Sequence, residues 1–321
     1  MIETTERLRQ LLNGREMLVA PFVYDCLQAK IAEQIGFQAV YMTGFGTAAA
    51  RGFPDLGLLT MSEMVQNVRA IAHAVEVPVI CDADTGYGNP VNVWRTVREY
   101  EEAGAAALHI EDQVWPKKCG FLAGKQVIPL ADMVPKVRAA CDARRDRNFV
   151  IIARTDALAV NGWDDVVHRC NAYHEAGADF IFVDGIRTLD DLRDYASKLA
   201  SLPLLYNGAL LPIAETGRYG FKLNIHTSSL MAAYVHFRDS LRGYEPATLV
   251  IDMSRVRYLD SSGLGVLIGM YASFERSCKR LLLAGLNDRI WDLFRLCKIE
   301  DVFTRYSTVA DAEQTVPMPE C

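Results

Sequence analysis

Several large protein classes are excluded by what this chain lacks. No apolar run approaches the roughly 20 residues that span a bilayer, and the N-terminus, MIETTERLRQLL, is charged and amphipathic where a signal peptide would carry an apolar stretch. Positive charge is not in excess. Lys and Arg number 34 against 40 Asp and Glu, a formal charge of −6 that argues against a nucleic-acid or anionic-membrane partner. The eight cysteines, at 26, 81, 119, 141, 170, 278, 297 and 321, form no CxxC pair and no paired spacing, so a reducing cytoplasm is the expected compartment. A strand-to-helix GxGxxG is missing too, which counts against a doubly wound sheet.

What is present is an alternation of strand-like and helical segments. The runs MLVAPF (17–22), AVYMTG (39–44), PVICDAD (78–84), ALHIED (107–112), FVIIART (149–155), FIFVDG (180–185), PLLYNG (203–208) and FKLNIHT (221–227) make eight strands. Helical spacing fills the gaps: SEMVQNVRAIAHAV begins at Ser62, and AGA at 103–105 and at 176–178 closes a helix before the next strand. This is the arithmetic of a (β/α)8 barrel, and 321 residues leave room for a small second domain.

The ends of those strands carry the chemistry. PVICDAD delivers Asp82 and Asp84 onto the Gly-rich loop TGYGNP, and ALHIEDQ ends in Glu111 and Asp112 before the loop WPKKCG, where Cys119 follows Lys117 and Lys118. A lone strand-end Asp is more often a helix cap, and a lone Cys more often a small buried hydrophobe. Repetition overrides that reading. Asp82, Asp84, Glu111, Arg154, Asp184 and Asn207 all end successive apolar strands, so a closed barrel would gather them on one face. Clustered acids suit a hard divalent cation, and a lysine-flanked thiol suits acid–base or nucleophilic work.

The motifs YMTGFGTAA, DADTGYG, EDQ, PKKCG and ARTDA, in this order, resemble those of the isocitrate lyase and phosphoenolpyruvate mutase superfamily over residues 1–242, with the methylisocitrate and dimethylmalate lyase branch the nearest in pattern. The resemblance implies a Mg²⁺-dependent enzyme, with Mn²⁺ as a substitute, acting on a small 2-oxo or 2-hydroxy acid through an enolate-like intermediate. It also implies a homo-oligomer. Asp82, Asp84 and Glu111 would hold the metal, directly or through water, assisted by Asp55 in GFPDLG. Thr43, Gly44 and Phe45 would receive one substrate carboxylate, and Arg154 the opposite end, near Asp184 and Asn207. Tyr41 and Lys117 would join Cys119 in catalysis. In the lyase branch the loop cysteine protonates carbon, a role Cys119 would inherit with its thiolate favoured by Lys117 and Lys118. The phosphonate-forming branch generally lacks that cysteine, so Cys119 favours carbon–carbon cleavage over phosphoryl migration. Two positions depart from the lyase pattern: Phe121 follows Gly120 where His is usual, and Asp184 stands where Glu is common.

Beyond residue 243 a second pattern begins. TLVIDM, RLLLAG and VFTRY read as strands, and the region around DSSGLG resembles the STAS domain of anti-sigma-factor antagonists over 243–315. That family carries a phosphorylatable serine, which maps to Ser261; a phosphate there would face free backbone N–H groups or repel an acidic partner surface. Ser261 and Ser262 also suit a helix cap. The N-terminal part of a STAS domain and the exchanged helix that follows such barrels are both expected to be missing. The segment is therefore expected not to fold alone and to dock on the eighth helix or on another subunit, with LMAAYVHFRDSLR replacing its first helix. Three readings stand: a carbon–carbon lyase with a regulatory appendage; a 2-oxo-acid decarboxylase or carboxyphosphonoenolpyruvate-type phosphonomutase on the same barrel; and a non-enzymatic partner switch working through Ser261.

Overall fold

In the computed structural model, residues 3–120, 124–226, 247–256, 279–296 and 302–315, with 267, 271 and 300, are described. Ser261, Phe121 and the segment LMAAYVHFRDSLR lie outside them. The chain divides into two compact units, 1–233 and 234–321.

The first unit is a closed parallel barrel of eight strands: β1 Leu18–Val23, β2 Val40–Met42, β3 Val79–Asp82, β4 Ala107–Glu111, β5 Val150–Thr155, β6 Phe180–Val183, β7 Leu204–Asn207 and β8 Leu223–His226. Closure comes from β1 pairing with β8, Leu18 opposite Leu223 through Pro21 opposite His226. Each expected strand is present, with its ends within two residues of those expected. The helix Met61–Ala74 starts one turn position before the expected Ser62, because Thr60 is the cap: it accepts from the Glu63 N–H while the Glu63 carboxylate takes the Thr60 N–H. Gly104 and Gly177, at φ of 96° and 107°, follow the helices ending at Glu102 and Glu175 and adopt the left-handed turn the AGA signals call for.

Strand alternation decides what each residue faces. Ile80, Ala107, Val150, Ile152, Phe180, Phe182, Leu205 and Leu223 pack with one another in the barrel lumen, and Leu8 and Leu12 of the helix Thr4–Leu12 join the same cluster. Their neighbours Cys81, Leu108, Ile151, Ala153 and Ile181 belong to the layer between strands and helices. A residue two positions beyond a lumen residue shares its side. Asp82, Glu111, Arg154, Asp184 and Asn207 therefore stand directly above the lumen layer, at the carboxyl ends of the strands. Asp112, with the opposite parity, turns outward to Thr155, Tyr173 and Arg169.

The second unit is an open sheet of three parallel strands in the order β11–β10–β9, with β9 Thr248–Asp252, β10 Arg280–Ala284 and β11 Arg305–Tyr306. Leu281 and Leu283 pack with Met253, Leu286, Ile290, Phe294 and Phe303, while Leu282 and Ala284 face Ala312 on the other side.

Candidate active site

The strand register pairs the site residues before any side chain is considered. Asp82 lies opposite His109, and Glu111 opposite Arg154. Beyond β3 the chain turns through Asp84 and Tyr87, both non-glycine residues at positive φ (47° and 58°), and through Gly86 at 77°. Strained backbone of this kind persists where the surroundings over-determine it, as at the rim of a site.

Asp82 is the hub. It accepts the Gly44 N–H at 3.1 Å and the Asp84 N–H at 2.9 Å, and Tyr41 Oη lies 3.5 Å from it. Gly44 is required here because a Cβ would fall 2.6 Å from Asp82 Oδ2. Burial opposes ionisation of Asp82, but His109, Lys117 and Arg154, with the Asp84 amide, hold its pKa at about 2. Tyr41 Oη and His109 Nε2 share a hydrogen bond of 2.7 Å. Burial brings His109 down to about 4, so the ring is neutral at pH 7, and burial together with the Asp82 charge raises Tyr41 well above its ordinary value.

Lys117 sits among the acids. Its Nζ is 2.5 Å from Asp55 Oδ1 and 2.9 Å from Asp84 Oδ1. Burial, then Asp82 and Asp55, push Asp84 up to about 6 against the pull of Lys117. Glu111 is raised well above the carboxylate range by burial, with Asp156 and Asp82 adding to it. Arg154 forms the other positive pole, 3.2 Å from Glu111, 2.9 Å from Asp156 and 3.3 Å from Asp184, with its guanidinium 5.1 Å from the Phe182 ring centre.

The loop after β4 folds down over this arrangement. The Cys119 N–H donates to the Asp55 carbonyl at 3.0 Å, and the Gln113 side chain spans the Lys118 backbone. Gly120 lies so close to Asp184 that a Cβ would collide with its carboxylate. Lys125 Nζ holds the returning strand of the loop, donating to the Gly120 carbonyl at 2.9 Å and to Asp156 at 2.7 Å. Cys119 is thus carried to the mouth of the barrel, half-buried. The two lysines expected to favour its thiolate are placed for other work: Lys117 neutralises Asp55 and Asp84, and Lys118 Nζ bonds the Gly124 carbonyl at 2.8 Å.

Of the expected carboxylate binders, Thr43 caps the helix Gly44–Ala50 by accepting from Gly46, and the Gly44 N–H is taken by Asp82. Asn207 approaches Asp184 at 3.5 Å and keeps its own buried Oδ1 without a hydrogen bond. Three members of the constellation escaped the sequence reading. His109 and Asp156 each lie two residues from a recognised member on its own strand, a parity signal that could have found them. Lys125 had no local signal, because it reaches the site only when the loop doubles back.

Whether these residues suit a cation turns on unsatisfied oxygens. Among the described residues no three His, Cys, Asp or Glu converge tightly enough to hold an ion directly. Glu111 Oε1 is nevertheless buried with no hydrogen bond or ion pair, while Glu111 Oε2 and Asp84 Oδ1 face only the cations Arg154 and Lys117. Mg²⁺ keeps several waters and takes only one or two carboxylates, so a ring of buried acids at water-mediated range fits a hydrated divalent cation rather than a bare one.

A closed parallel barrel with buried opposite charges stacked on its lumen at the carboxyl face has the arrangement of a (β/α)8 enzyme's active site. The profile described as phosphoenolpyruvate phosphomutase matches residues 8–242, and that of the STAS domain matches 208–312. The chain is 44% identical over 239 residues to 2,3-dimethylmalate lyase of Eubacterium barkeri, covering 72% of this chain and 83% of that protein. It is 50% identical over 200 residues to 2-methylisocitrate lyase of Aeropyrum pernix, covering 62% and 64%. A crystal structure of 2,3-dimethylmalate lyase, a PEP mutase/isocitrate lyase superfamily member, superposes with a TM-score of 0.70 at 37% identity over 86% of this chain and 95% of that one. The chain belongs to the phosphoenolpyruvate phosphomutase family, and its C-terminal part carries a STAS domain match. The two profiles overlap over 208–242, and in the structure β8, within that overlap, pairs with β1 and β7 of the barrel.

Proposed function

We propose that the barrel cleaves the carbon–carbon bond of a 2-hydroxy di- or tricarboxylic acid of the 2-methylisocitrate or 2,3-dimethylmalate type, giving a 2-oxo acid and a second acid. The observation that carries this reading is the placement of Cys119 on a loop closed against Asp184 and Arg154, above a lumen floor that carries both acids and a fixed guanidinium. Similarity to proteins named as lyases of these two acids supports it.

Asp82, Asp84 and Glu111, with Asp55, would hold Mg²⁺ through water, with Mn²⁺ as a substitute. When bound, the cation would stabilise the oxygen charge that develops as the bond breaks. The chain's own residues do the rest. Arg154, fixed on three sides by Glu111, Asp156 and Asp184, presents a rigid positive surface to a substrate carboxylate. The Thr43 hydroxyl lies at the opposite rim, on the strand end beside Asp82. Neutral His109 holds the Tyr41 hydroxyl in place below the site. Cys119, half-buried at the mouth, delivers the proton that quenches the carbanion. Asp184, one methylene shorter than the Glu common at this position, sets how far Arg154 and Asn207 are drawn to that side of the mouth.

Further expectations belong to the same proposal. The described cysteines 26, 81, 119, 141 and 170 form no disulfide, which suits a reducing compartment. Among the described residues no helix is long and apolar enough to cross a membrane. Assembly as a homo-oligomer, and partner recognition through the STAS-like region and Ser261, are the expected interactions. Incubating the protein with 2,3-dimethylmalate or 2-methylisocitrate and Mg²⁺ tests the reaction. Metal-dependent release of pyruvate supports it; phosphate release or carbon dioxide in place of a second acid would assign the mutase or decarboxylase reading instead.

A further inference from the structure

Among the described residues of the barrel unit five Lys or Arg side chains are buried, and four are paired: Lys117 with Asp55 and Asp84, Lys125 with Asp156, Arg154 with its three acids, and Arg169 with Asp112 and Asp165. Lys136 is the exception. It is 6% exposed, lies on the buried face of the helix Leu130–Ala143, and makes no hydrogen bond or ion pair with any described residue. Its stem is buried, but its Nζ is not among the fully buried polar atoms, so the ammonium opens onto the cavity it lines and is available there to a partner of opposite charge.

Its surroundings say what that partner is. Lys136 lines a cavity of about 440 Å³ between the start of the helix Pro90–Glu102, the helix Leu130–Ala143 and the loop at 113–115. Thr85, 2% exposed and with its hydroxyl free of hydrogen bonds, lines the same cavity. The remaining walls are largely apolar, with Trp115, Ile128 and Pro135 facing the space. Asp132 stands on its exposed side. None of the residues assigned above to metal, substrate or proton transfer lines it. Small-ligand sites have this make-up, apolar walls with a few convergent polar groups.

We propose that this cavity is a second carboxylate site, distinct from the barrel mouth, which takes a monocarboxylate with a short apolar chain. The carboxylate sits on Lys136 Nζ and the Thr85 hydroxyl, and the chain lies against Trp115, Ile128 and Pro135. Asp132 at the open side disfavours a second negative charge, which separates this ligand from the polyanionic substrate. Burial lowers the Lys136 pKa, with Glu111 and Asp112 opposing that shift, and an arriving carboxylate restores the charged form. Because Thr85 follows Asp84 and Trp115 precedes Lys117, a ligand here touches both loops that frame the active site.

The test uses the full chain and 4,4,4-trifluorobutyrate as the probe, followed by fluorine NMR with and without saturating oxalate. Saturable binding that oxalate does not displace is expected. Lys136→Met weakens it by about tenfold or more, the loss of one charge-assisted contact, and Lys136→Gln, which keeps a donor, loses less. Arg154→Met, at the barrel mouth, leaves it unchanged. Equal affinity in wild type and both Lys136 variants, displacement by oxalate, loss of binding in Arg154→Met, or the absence of saturable binding would each overturn the proposal.

Discussion

The two units are both built on parallel strands, yet they handle charge in opposite ways. In the barrel, closure leaves no strand edge and buries ionisable groups: Asp82, Asp84, Glu111, Lys117, Arg154, Asp156 and Asp184 are all under a tenth exposed. In the described part of the C-terminal unit the ion pairs are Arg295 with Asp292 and Arg305 with Asp288, and three of those four side chains are more than 60% exposed. Charges in water interact weakly, whereas buried ones are strongly coupled. Chemistry is therefore expected of the barrel alone. The open sheet, with β9 only partly buried along its length, is expected to serve contact rather than catalysis.

The hardest blow to this contrast would come from Asp82. Asp82→Ala removes the acceptor for the Gly44 and Asp84 amides and a cation ligand at once, and turnover should fall by at least about 10³-fold with the barrel still folded. Activity that survives both this change and EDTA would move the chemistry elsewhere. Cys119→Ser comes next, because a hydroxyl is too weak an acid to replace the thiol. A loss of roughly 10²–10⁴ in kcat with little change in KM is expected from steady-state kinetics.

Stability measurements sharpen the contrast further. Lys117→Met strands Asp55 and Asp84 without their counter-charge, and breaking a buried pair of this sort costs about 3–5 kcal/mol. In EDTA the barrel melt should drop, and saturating Mg²⁺ should restore much of it by binding the freed acids. A melt that Mg²⁺ leaves untouched would separate the acids from the metal. The smallest effect on function is expected from Leu283→Ala in β10. This fully buried residue should cost the C-terminal unit about 2–5 kcal/mol while turnover in the barrel stays the same. A matching loss of activity would show that the two units work as one.

How much of this was legible in the sequence follows from what each feature depends on. Barrel strands are apolar on both faces, so they read as unbroken runs, and all eight appear in the structure within a few residues of the expected ends. Their last polar residues mark the site for the same reason: few polar residues precede the strand end, His109 in β4 and Asn224 in β8 being buried exceptions held by hydrogen bonds. The resemblance carried by DADTGYG, PKKCG and ARTDA likewise rests on contiguous residues. The helix start at Met61 in place of Ser62 is a one-residue difference, set by the reciprocal bond between Thr60 and Glu63.

Other features needed the closed barrel. Only register places Asp82 beside His109 and Glu111 beside Arg154, and only the tertiary fold brings Lys125 to Asp156 and Gly120 onto Asp184. Lys117 reads in sequence as a neighbour of Cys119, yet in space its ammonium belongs to Asp55, 62 residues earlier. Lys136 reads as one more helix lysine, and it becomes informative only once its burial and lack of a partner are seen. Local sequence sets strand, helix and cap, because those depend on a few adjacent residues. The pairing of charges across the barrel mouth depends on which distant strand ends closure makes neighbours, and that was decided by the tertiary structure.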